Sequence, residues 1–146
     1  MKKSILLLFI VCLPLLAKAY DVEIDGIYYN IFPNSNYAEV TSGDSPYEGN
    51  IVIASSIEYE GVTYPVTTVG MKAFYQHKKL TSVVIPNSVS KIGNDAFGLC
   101  YNLISITIPS SVMEIGQDAF YYCDKLTDLT IPVGVKKNRF SCILWL

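Results

Sequence analysis

The chain has 146 residues, of which 51% are hydrophobic and 16% are charged, and its formal net charge is -2. This length suits one domain of ordinary size and argues against a two-domain enzyme. The slight acidic balance argues against nucleic acid as a partner and against electrostatic docking on an anionic membrane, since both need a basic surface.

The first segment, residues 1–19, has the parts of a secretory signal peptide. Two lysines precede an apolar run at residues 5–16, and the Ala-Lys-Ala sequence at 17–19 fits a small-x-small cleavage site. The run is shorter than the roughly twenty residues of a membrane-spanning helix, so we expect secretion without a membrane span. A lipid-attached cysteine at Cys12 is the alternative, but no small residue directly precedes it.

Charge is unevenly distributed along the rest of the chain. Three of the eleven basic residues lie in residues 1–19, so the remainder has eight bases, thirteen acids and a formal charge of -5. Residues 20–65 contain eight acids and no base, residues 66–134 contain five of each, and residues 135–146 contain three bases and no acid. This pattern is typical of a solvated secreted surface.

Residues 20–65 are predicted to form an N-terminal β cap and a partial repeat. Alternating apolar residues at 22–24 and 27–31 flank Asp25-Gly26, a type I′ turn signal, and predict a hairpin. The expected cross-strand partners are Ile24 with Ile27 and Val22 with Tyr29. Such a hairpin would cover the open edge of a stack of coils.

The remainder of this N-terminal region is predicted to contain two loops and a second hairpin. Segments 33–36 and 42–46 are rich in Pro, Asn, Ser and Gly and are expected to be loops. Residues 57–59 and 62–64 flank a Glu60-Gly61 turn and predict the hairpin.

Three segments of 23 residues then repeat one pattern without a gap, at 66–88, 89–111 and 112–134. The sequence IVIASS at 51–56 also mirrors ITIPSS at 106–111, which suggests a partial repeat. The residues expected to form buried ladders are Phe74, Phe97, Phe120, Leu80, Leu103, Leu126, Ile85, Ile108 and Ile131. So regular a repeat predicts a solenoid in which each segment forms one coil.

Each coil is expected to contain one short strand, in LTSVVIP, LISITIP and LTDLTIP. In the first of these, alternation points Val83 and Ile85 inward and Ser82 and Val84 towards solvent. Proline lacks a backbone donor and should end the strand.

Two further features complete the predicted coil. A second extended stretch, Val-x-x-Ile, ends at Gly70, Gly93 or Gly116, where we expect a positive φ and a sharp turn. The following Ala-Phe segment is expected to form a single helical turn that buries its phenylalanine.

The pattern V-x-x-I-G-x-x-A-F-x-x-C-x-x-L-x-x-L-x-I-P-x-S, strict over residues 66–134, closely resembles the BspA-like leucine-rich repeat proteins of bacterial cell surfaces. The resemblance implies a leucine-rich repeat solenoid, mainly β with short helical turns, with the N-terminal hairpin as its cap. It also implies a non-enzymatic, secreted or surface-displayed protein that adheres to proteins of a host or neighbouring cell.

Residues 135–146 depart from the repeat. Continuing the period predicts isoleucine, glycine and phenylalanine where the chain has Asn138, Arg139 and Ile143. The apolar segment 142–146 either folds over the last coil as a lid or results from truncation or a frame shift. In the second case the protein is a remnant of a longer repeat array, with no separate activity.

His77, Cys100 and Cys123 occupy the same repeat position. A histidine with two cysteines is compatible with a metal site or a cysteine nucleophile, but residues on successive coils form a ladder and do not converge. We therefore expect structural cysteines, no metal and no cofactor. A Cys100–Cys123 disulfide is the alternative in an oxidising compartment, although ladder positions hold Cβ atoms farther apart than a disulfide requires.

The predicted binding face is the solvent side of the coil strands. Its residues are Thr81, Ser82, Val84, Ile104, Ser105, Thr107, Thr127, Asp128 and Thr130. This face contains one carboxylate and no base, so it offers no general acid–base pair. The sequence thus predicts protein binding and no enzymatic activity.

Tyrosines suggest a second possible activity, carbohydrate binding. Seven of the eleven lie in residues 20–65, namely Tyr20, Tyr28, Tyr29, Tyr37, Tyr47, Tyr59 and Tyr64. Exposed tyrosines beside carboxylates would suit a glycan, whereas buried ones would only fill the cap. We favour packing and keep a glycan-binding module as the alternative function.

Overall fold

The computed structural model describes residues 18–138. Nearly all of the predicted signal peptide and the tail from residue 139 onward lie outside this range. The strands are β1 (Val22–Ile24), β2 (Ile27–Phe32), β3 (Tyr37–Thr41), β4 (Gly49–Val52), β5 (Ser56–Tyr59), β6 (Val62–Val69), β7 (Leu80–Val84), β8 (Lys91–Ile92), β9 (Ser105–Thr107), β10 (Glu114–Ile115) and β11 (Lys137–Asn138). The single helix in this range is a short 3-10 helix, Pro33–Ser35.

The strands form a β-solenoid with two sheets, and the predicted fold class is confirmed. The larger sheet has the order β1-β2-β3-β6-β8-β10-β11, with β5 paired to β6, and the smaller sheet has the order β4-β7-β9. The pairs β6–β8, β8–β10 and β10–β11 are parallel, as are β4–β7 and β7–β9. Each coil therefore contributes one rung to the larger sheet, and the coils of β7 and β9 also contribute one to the smaller.

The N-terminal hairpin has the predicted register. Ile24 pairs with Ile27 and Val22 with Tyr29, and the turn residues Asp25 and Gly26 have φ values of 51° and 76°. Both central residues of a type I′ turn need positive φ, which Asp and Gly tolerate best. The sequence pattern therefore determined this element locally.

The hairpin joins the coils through β3, a strand that the sequence analysis did not predict. β3 pairs antiparallel with β2 and parallel with β6, with a register shift between Ala38 and Glu39. The cap thereby continues the larger sheet across the first coil. The predicted loop before β3 contains the 3-10 helix, which is followed by Asn36 at a φ of 52°.

The second hairpin is also confirmed. β5 pairs antiparallel with β6, placing Ile57 opposite Tyr64 and Tyr59 opposite Val62. The turn residues Glu60 and Gly61 have φ values of 51° and 77°. This hairpin inserts between the partial repeat at β4 and the first full coil.

The coil strands agree with the prediction in the partial repeat and in the first two full repeats. β4, β7 and β9 stack in parallel, and β7 ends at Val84, before Pro86. Residues 126–130, predicted to form the corresponding strand of the third repeat, do not pair as a strand, and this expectation was wrong. Leu126 is nevertheless buried, so the leucine ladder continues into the third repeat although the strand pairing does not.

The repeat glycines serve a different purpose from the one predicted. Positive φ among the described glycines occurs at Gly26, Gly49 and Gly61, and the repeat glycines are not among them. An added Cβ would lie 2.8 Å from the Val40 carbonyl oxygen at Gly70, 2.5 Å from the Met71 nitrogen at Gly93, and 2.4 Å from the Asn94 nitrogen at Gly116. Glycine is required here because successive backbones approach too closely for a side chain.

The Ala-Phe segments form consecutive turns, and the predicted helical turn is wrong. Left-handed residues interrupt each segment at two repeat positions, and these are Lys72, Asp95 and Asp118, then Gln76, Leu99 and Tyr122. Several backbone amides of these segments donate hydrogen bonds to carbonyl groups of the next coil. Phe74 N–H donates to the Ala96 carbonyl at 2.7 Å, and Phe97 N–H to the Ala119 carbonyl at 2.8 Å. Bonds between coils replace the bonds that a helix would make within itself.

Aligned side chains fill the interior. The phenylalanine and leucine ladders and Ile85 are buried, whereas Ile108 and Ile131 are only half-buried. Phe74 and Phe97 stack with centroids 5.0 Å apart, and Phe97 and Phe120 with centroids 5.4 Å apart. The column continues into the cap, because the Tyr47 ring lies 4.6 Å from Phe74.

Candidate functional site

The strands of the smaller sheet present no charged side chain on their solvent side, and the adjoining segment adds one carboxylate, Asp128. Val52, Val84 and Ile104 are 67%, 47% and 56% exposed. Thr81 and Ser82 are half-buried, and the other predicted face residues are exposed, namely Ser105, Thr107, Thr127, Asp128 and Thr130. Apolar and hydroxyl groups are therefore presented together on the paired strands and on the segments next to them.

The pairing register arranges this face in two rows. One row contains Asn50, Ser82 and Ser105, and the other contains Val52, Val84 and Thr107. Residues 127–130 extend the face without belonging to a strand. The structure thus brings the predicted residues of the first two repeats into one sheet, except Ile104, which directly precedes β9.

Two residues of this face were missed, Asn50 and Val52 on β4. The Asn50 side-chain oxygen accepts hydrogen bonds from Thr81 Oγ1 at 2.9 Å and Ser82 Oγ at 2.8 Å. The partial repeat at 51–56 was the signal that could have located them. Because Asn50 orients both hydroxyl hydrogens, their oxygen lone pairs remain available to an incoming donor.

The ion pair closest to this face lies at one edge, where Lys79 Nζ is 2.9 Å from Glu48 Oε1. The face itself can donate and accept hydrogen bonds and cover apolar surface, but its side chains include no acid–base pair. Within residues 18–138 no group of three or more metal-binding side chains converges.

The His77, Cys100 and Cys123 ladder is structural in its contacts. Cys100 Sγ donates to the Phe74 carbonyl oxygen at 2.9 Å, and Cys123 Sγ donates to the Phe97 carbonyl oxygen at 3.1 Å. Burial raises the pKa of each thiol to about 12. Both cysteines are free, so the alternative of a disulfide between them is not realised and neither has the low pKa of a nucleophile.

His77 occupies the same repeat position as the two cysteines, but its side chain contacts the cap. Its Nδ1 accepts the backbone N–H of Tyr47 at 2.9 Å, and burial lowers the pKa of its imidazole. An accepting Nδ1 must be unprotonated, so this bond requires the neutral form.

The N-terminal tyrosines are mostly packed inside the cap. Tyr20, Tyr28, Tyr29, Tyr47 and Tyr64 are buried, and Tyr37 and Tyr59 are half-buried. Tyr28 and Tyr29 are only 5% and 1% exposed, so neither provides the open ring face that the carbohydrate alternative requires. Packing, the interpretation favoured from the sequence, accounts for them.

Coils built on L-x-x-L-x-L strands with aligned leucine and phenylalanine ladders define a leucine-rich repeat protein. The chain matches the family described as BspA type Leucine rich repeat region, in six copies over residues 55–143, and it belongs to this family. Such repeats form protein-interaction modules.

Solved structures of several bacterial proteins are similar to this one. A leucine-rich cell surface protein from Faecalibacterium prausnitzii is 32% identical with a TM-score of 0.70, over 80% of this chain and 31% of that one. A leucine-rich repeat protein from Bacteroides capillosus is 32% identical with a TM-score of 0.72, over 81% of this chain and 87% of that one.

A leucine-rich repeat protein from T. pallidum is 29% identical with a TM-score of 0.67, over 79% of this chain and 51% of that one. The chain therefore spans less than a third of the Faecalibacterium protein and about half of the T. pallidum protein. No curated protein matches it significantly. In the part of the chain that the structure describes, no helix has the length and apolar character needed to cross a membrane.

Proposed function

We propose that this protein is secreted or displayed on the bacterial surface and adheres to a protein of a host or neighbouring cell through the face formed by β4, β7, β9 and residues 127–130. The observation that carries the proposal is the exposure of Val52 and Val84 on the smaller sheet and of Ile104 directly before β9. Apolar groups exposed together, with hydroxyls beside them, are typical of an interaction surface.

The chemistry of the face favours a partner with little charge. Hydroxyl oxygens bound to Asn50 would accept hydrogen bonds, and the valine row would bury apolar area. Three strands spaced about 4.8 Å apart give only a short face along the solenoid axis. We therefore expect weak binding by one copy and stronger binding when many copies are displayed together.

The test compares Ser82→Arg/Thr107→Arg with a control, Ser56→Arg/Thr63→Arg, which places the same charges on the exposed second hairpin. Surface plasmon resonance would measure binding of the wild type to a panel of extracellular-matrix and epithelial surface proteins. We expect the face variant to bind about tenfold more weakly, since an arginine would be desolvated at each site. The control variant should bind as the wild type does.

Equal loss in the two variants would contradict the assignment of the face. A glycan array, with Tyr28→Ala/Tyr29→Ala as the comparison, tests the carbohydrate alternative. Failure to bind any protein of the panel, even when displayed in many copies, together with failure to bind any glycan of the array, would favour the remnant interpretation. N-terminal sequencing of the exported protein tests secretion, for which we expect a start at Tyr20.

A further inference from the structure

The larger sheet bears a groove of about 500 Å³ that the predicted face does not include. One wall is formed by four residues that are paired neighbours on successive strands, and these are Glu39, Thr68, Lys91 and Glu114. Met71, Asn94 and Gln117, each of which directly follows a repeat glycine, also line the groove. The volume lies within the range of ligand sites in proteins.

Glycine forms the floor of this groove at three successive rungs. Gly70, Gly93 and Gly116 each lie two residues after a wall residue, hence on the same side of the strand. A methyl group at Gly93 or Gly116 would collide with the backbone of the preceding coil. The groove is consequently floored by closely spaced main chain, with side chains only along its walls.

Glu39 marks one end of the groove with an incompletely compensated negative charge. Its Oε1 lies 2.8 Å from the point where a Cβ of Gly70 would be, so the carboxylate stands over the glycine floor. Burial raises the pKa of this half-buried carboxyl, and Lys91 and an Asn30 hydrogen bond offset the rise only in part. Among the described residues Glu39 forms no ion pair within 4 Å, whereas Lys91 pairs with Glu114 at 3.9 Å.

The groove has the length and polarity of a short extended peptide. Three rung spacings of about 4.8 Å give about 14 Å, which about four extended residues would span. Amide, carboxylate and ammonium groups on the walls suit the donors and acceptors of a peptide backbone. No aromatic ring lines the groove, so a sugar would find no stacking surface there.

We propose that this glycine-floored groove binds an extended polypeptide segment of about four residues, one of whose basic side chains pairs with Glu39. This site lies on a different sheet from the proposed adhesion face. One copy of the protein could then contact its partner at both surfaces, or bind a basic segment of a second protein in the groove.

The test uses the full-length ¹⁵N-labelled chain and NMR chemical-shift titration, which detects binding in the millimolar range. The probe is the capped tetrapeptide acetyl-Ala-Arg-Ala-Ala-amide, compared with the same peptide carrying glutamine in place of arginine. We expect the arginine peptide to shift the amide signals of Gly70, Gly93 and Gly116 and to bind about threefold to tenfold more tightly than the glutamine peptide.

Three variants assign the contact. Glu39→Gln should weaken binding of the arginine peptide about threefold to tenfold, whereas Glu58→Gln, the same change on the exposed second hairpin, should leave it unchanged. Lys91→Gln removes the competing ammonium group and should tighten binding. Because these changes are conservative and each side chain is at least partly exposed, the folded spectrum itself checks that each variant is intact.

Several results would overturn the proposal. These are no shift of the three glycines at about 10 mM peptide, equal binding of the arginine and glutamine peptides, or equal weakening by Glu39→Gln and Glu58→Gln. Butylammonium serves as a free-cation probe. If it reproduces the whole pattern of shifts, the groove binds a cation alone and the peptide assignment is wrong.

Discussion

At the scale of single residues, the repeat glycines show how closely the coils are stacked. An added Cβ at Gly93 would lie 2.5 Å from the Met71 nitrogen and 2.7 Å from the Gly70 carbonyl carbon. Both are backbone atoms, which cannot rotate away as the end of a flexible side chain does. The distance between coils therefore depends on the absence of a single methyl group per turn.

We predict that Gly93→Ala lowers the free energy of unfolding by about 1–3 kcal/mol, the usual cost of forcing extra volume into a packed interior. Urea denaturation followed by circular dichroism would measure it. Gly134→Ala is the matched control, because its added Cβ would lie 3.6 Å from Met113 Sδ, an ordinary contact. A comparable loss in both variants would refute the steric explanation.

His77 makes stability depend on pH in a direction that the structure determines. Burial lowers the pKa of the folded imidazole, so as pH falls below about 6.5 the unfolded state takes up a proton first. Stability that is complete above the unfolded pKa is then lost progressively until the pH passes below the folded pKa. Protonated Nδ1 would also face the Tyr47 N–H that it now accepts.

We predict that the free energy of unfolding is lower at pH 5.5 than at pH 7.5, measured by urea denaturation, and that His77→Asn removes the part of this difference that His77 contributes. Asparagine retains an acceptor but does not titrate. Glu39, whose pKa burial raises, contributes with the opposite sign in both proteins and cancels in the comparison. An unchanged pH dependence in the variant would exclude His77 as its source.

At the scale of elements, Tyr47 joins the cap to the first coil. Its hydroxyl donates to the Thr41 carbonyl at 2.6 Å and accepts the Tyr28 N–H at 2.9 Å. Its ring contacts both Tyr28 and Phe74. Because the hydroxyl bonds to two backbone groups of the cap while the ring packs on Phe74 of the first coil, the cap and the coils should unfold together.

We predict that Tyr47→Phe lowers the free energy of unfolding by about 1–3 kcal/mol, since the buried Tyr28 N–H loses its acceptor. Tyr47→Ala should cost about 3–5 kcal/mol, because the aromatic column is also interrupted. Tyr37→Phe, at a half-buried ring stacked on Phe32, should change stability by less than about 0.5 kcal/mol. Chemical denaturation of all three would check the order, and a phenylalanine variant as stable as the wild type would contradict it.

Elements differ in how far the sequence alone predicted them. Both hairpins follow from local turn chemistry at Asp25-Gly26 and Glu60-Gly61, so their registers were predictable. β3 pairs with β2, from which four residues separate it, and with β6, which is distant in sequence, and its own residues contain no comparable signal. The Ala-Phe segments contain residues that suit a helix, but bonding to the neighbouring coil determines their conformation.

At the scale of the whole molecule, stability is distributed along a stack in which each coil contacts mainly its neighbours. β7 is paired on both sides, by β4 and β9, whereas residues 126–130 do not pair as a strand. The stack should therefore open more readily at this end of the smaller sheet.

We predict that amides at residues 126–130 exchange with deuterium about tenfold or more faster than those at residues 80–84. Hydrogen exchange read by mass spectrometry on peptides covering the two segments would measure this. Residues 105–107, paired to β7 on one side, should be intermediate. Equal protection of residues 126–130 and residues 80–84 would show that the third repeat forms a paired strand in solution, contrary to this prediction.

The sequence by itself determined the solenoid, because a 23-residue period with leucine, phenylalanine and isoleucine in phase can bury those residues only by stacking coils. It also determined the burial of Cys100 and Cys123 in one ladder, which follows from their shared repeat position. Only the tertiary structure decided the role of the glycines, the bridging by β3 and Tyr47, and the groove beside Glu39. These depend on distances between backbones of different coils, and such distances are set by packing across the stack, not by any local pattern of residues.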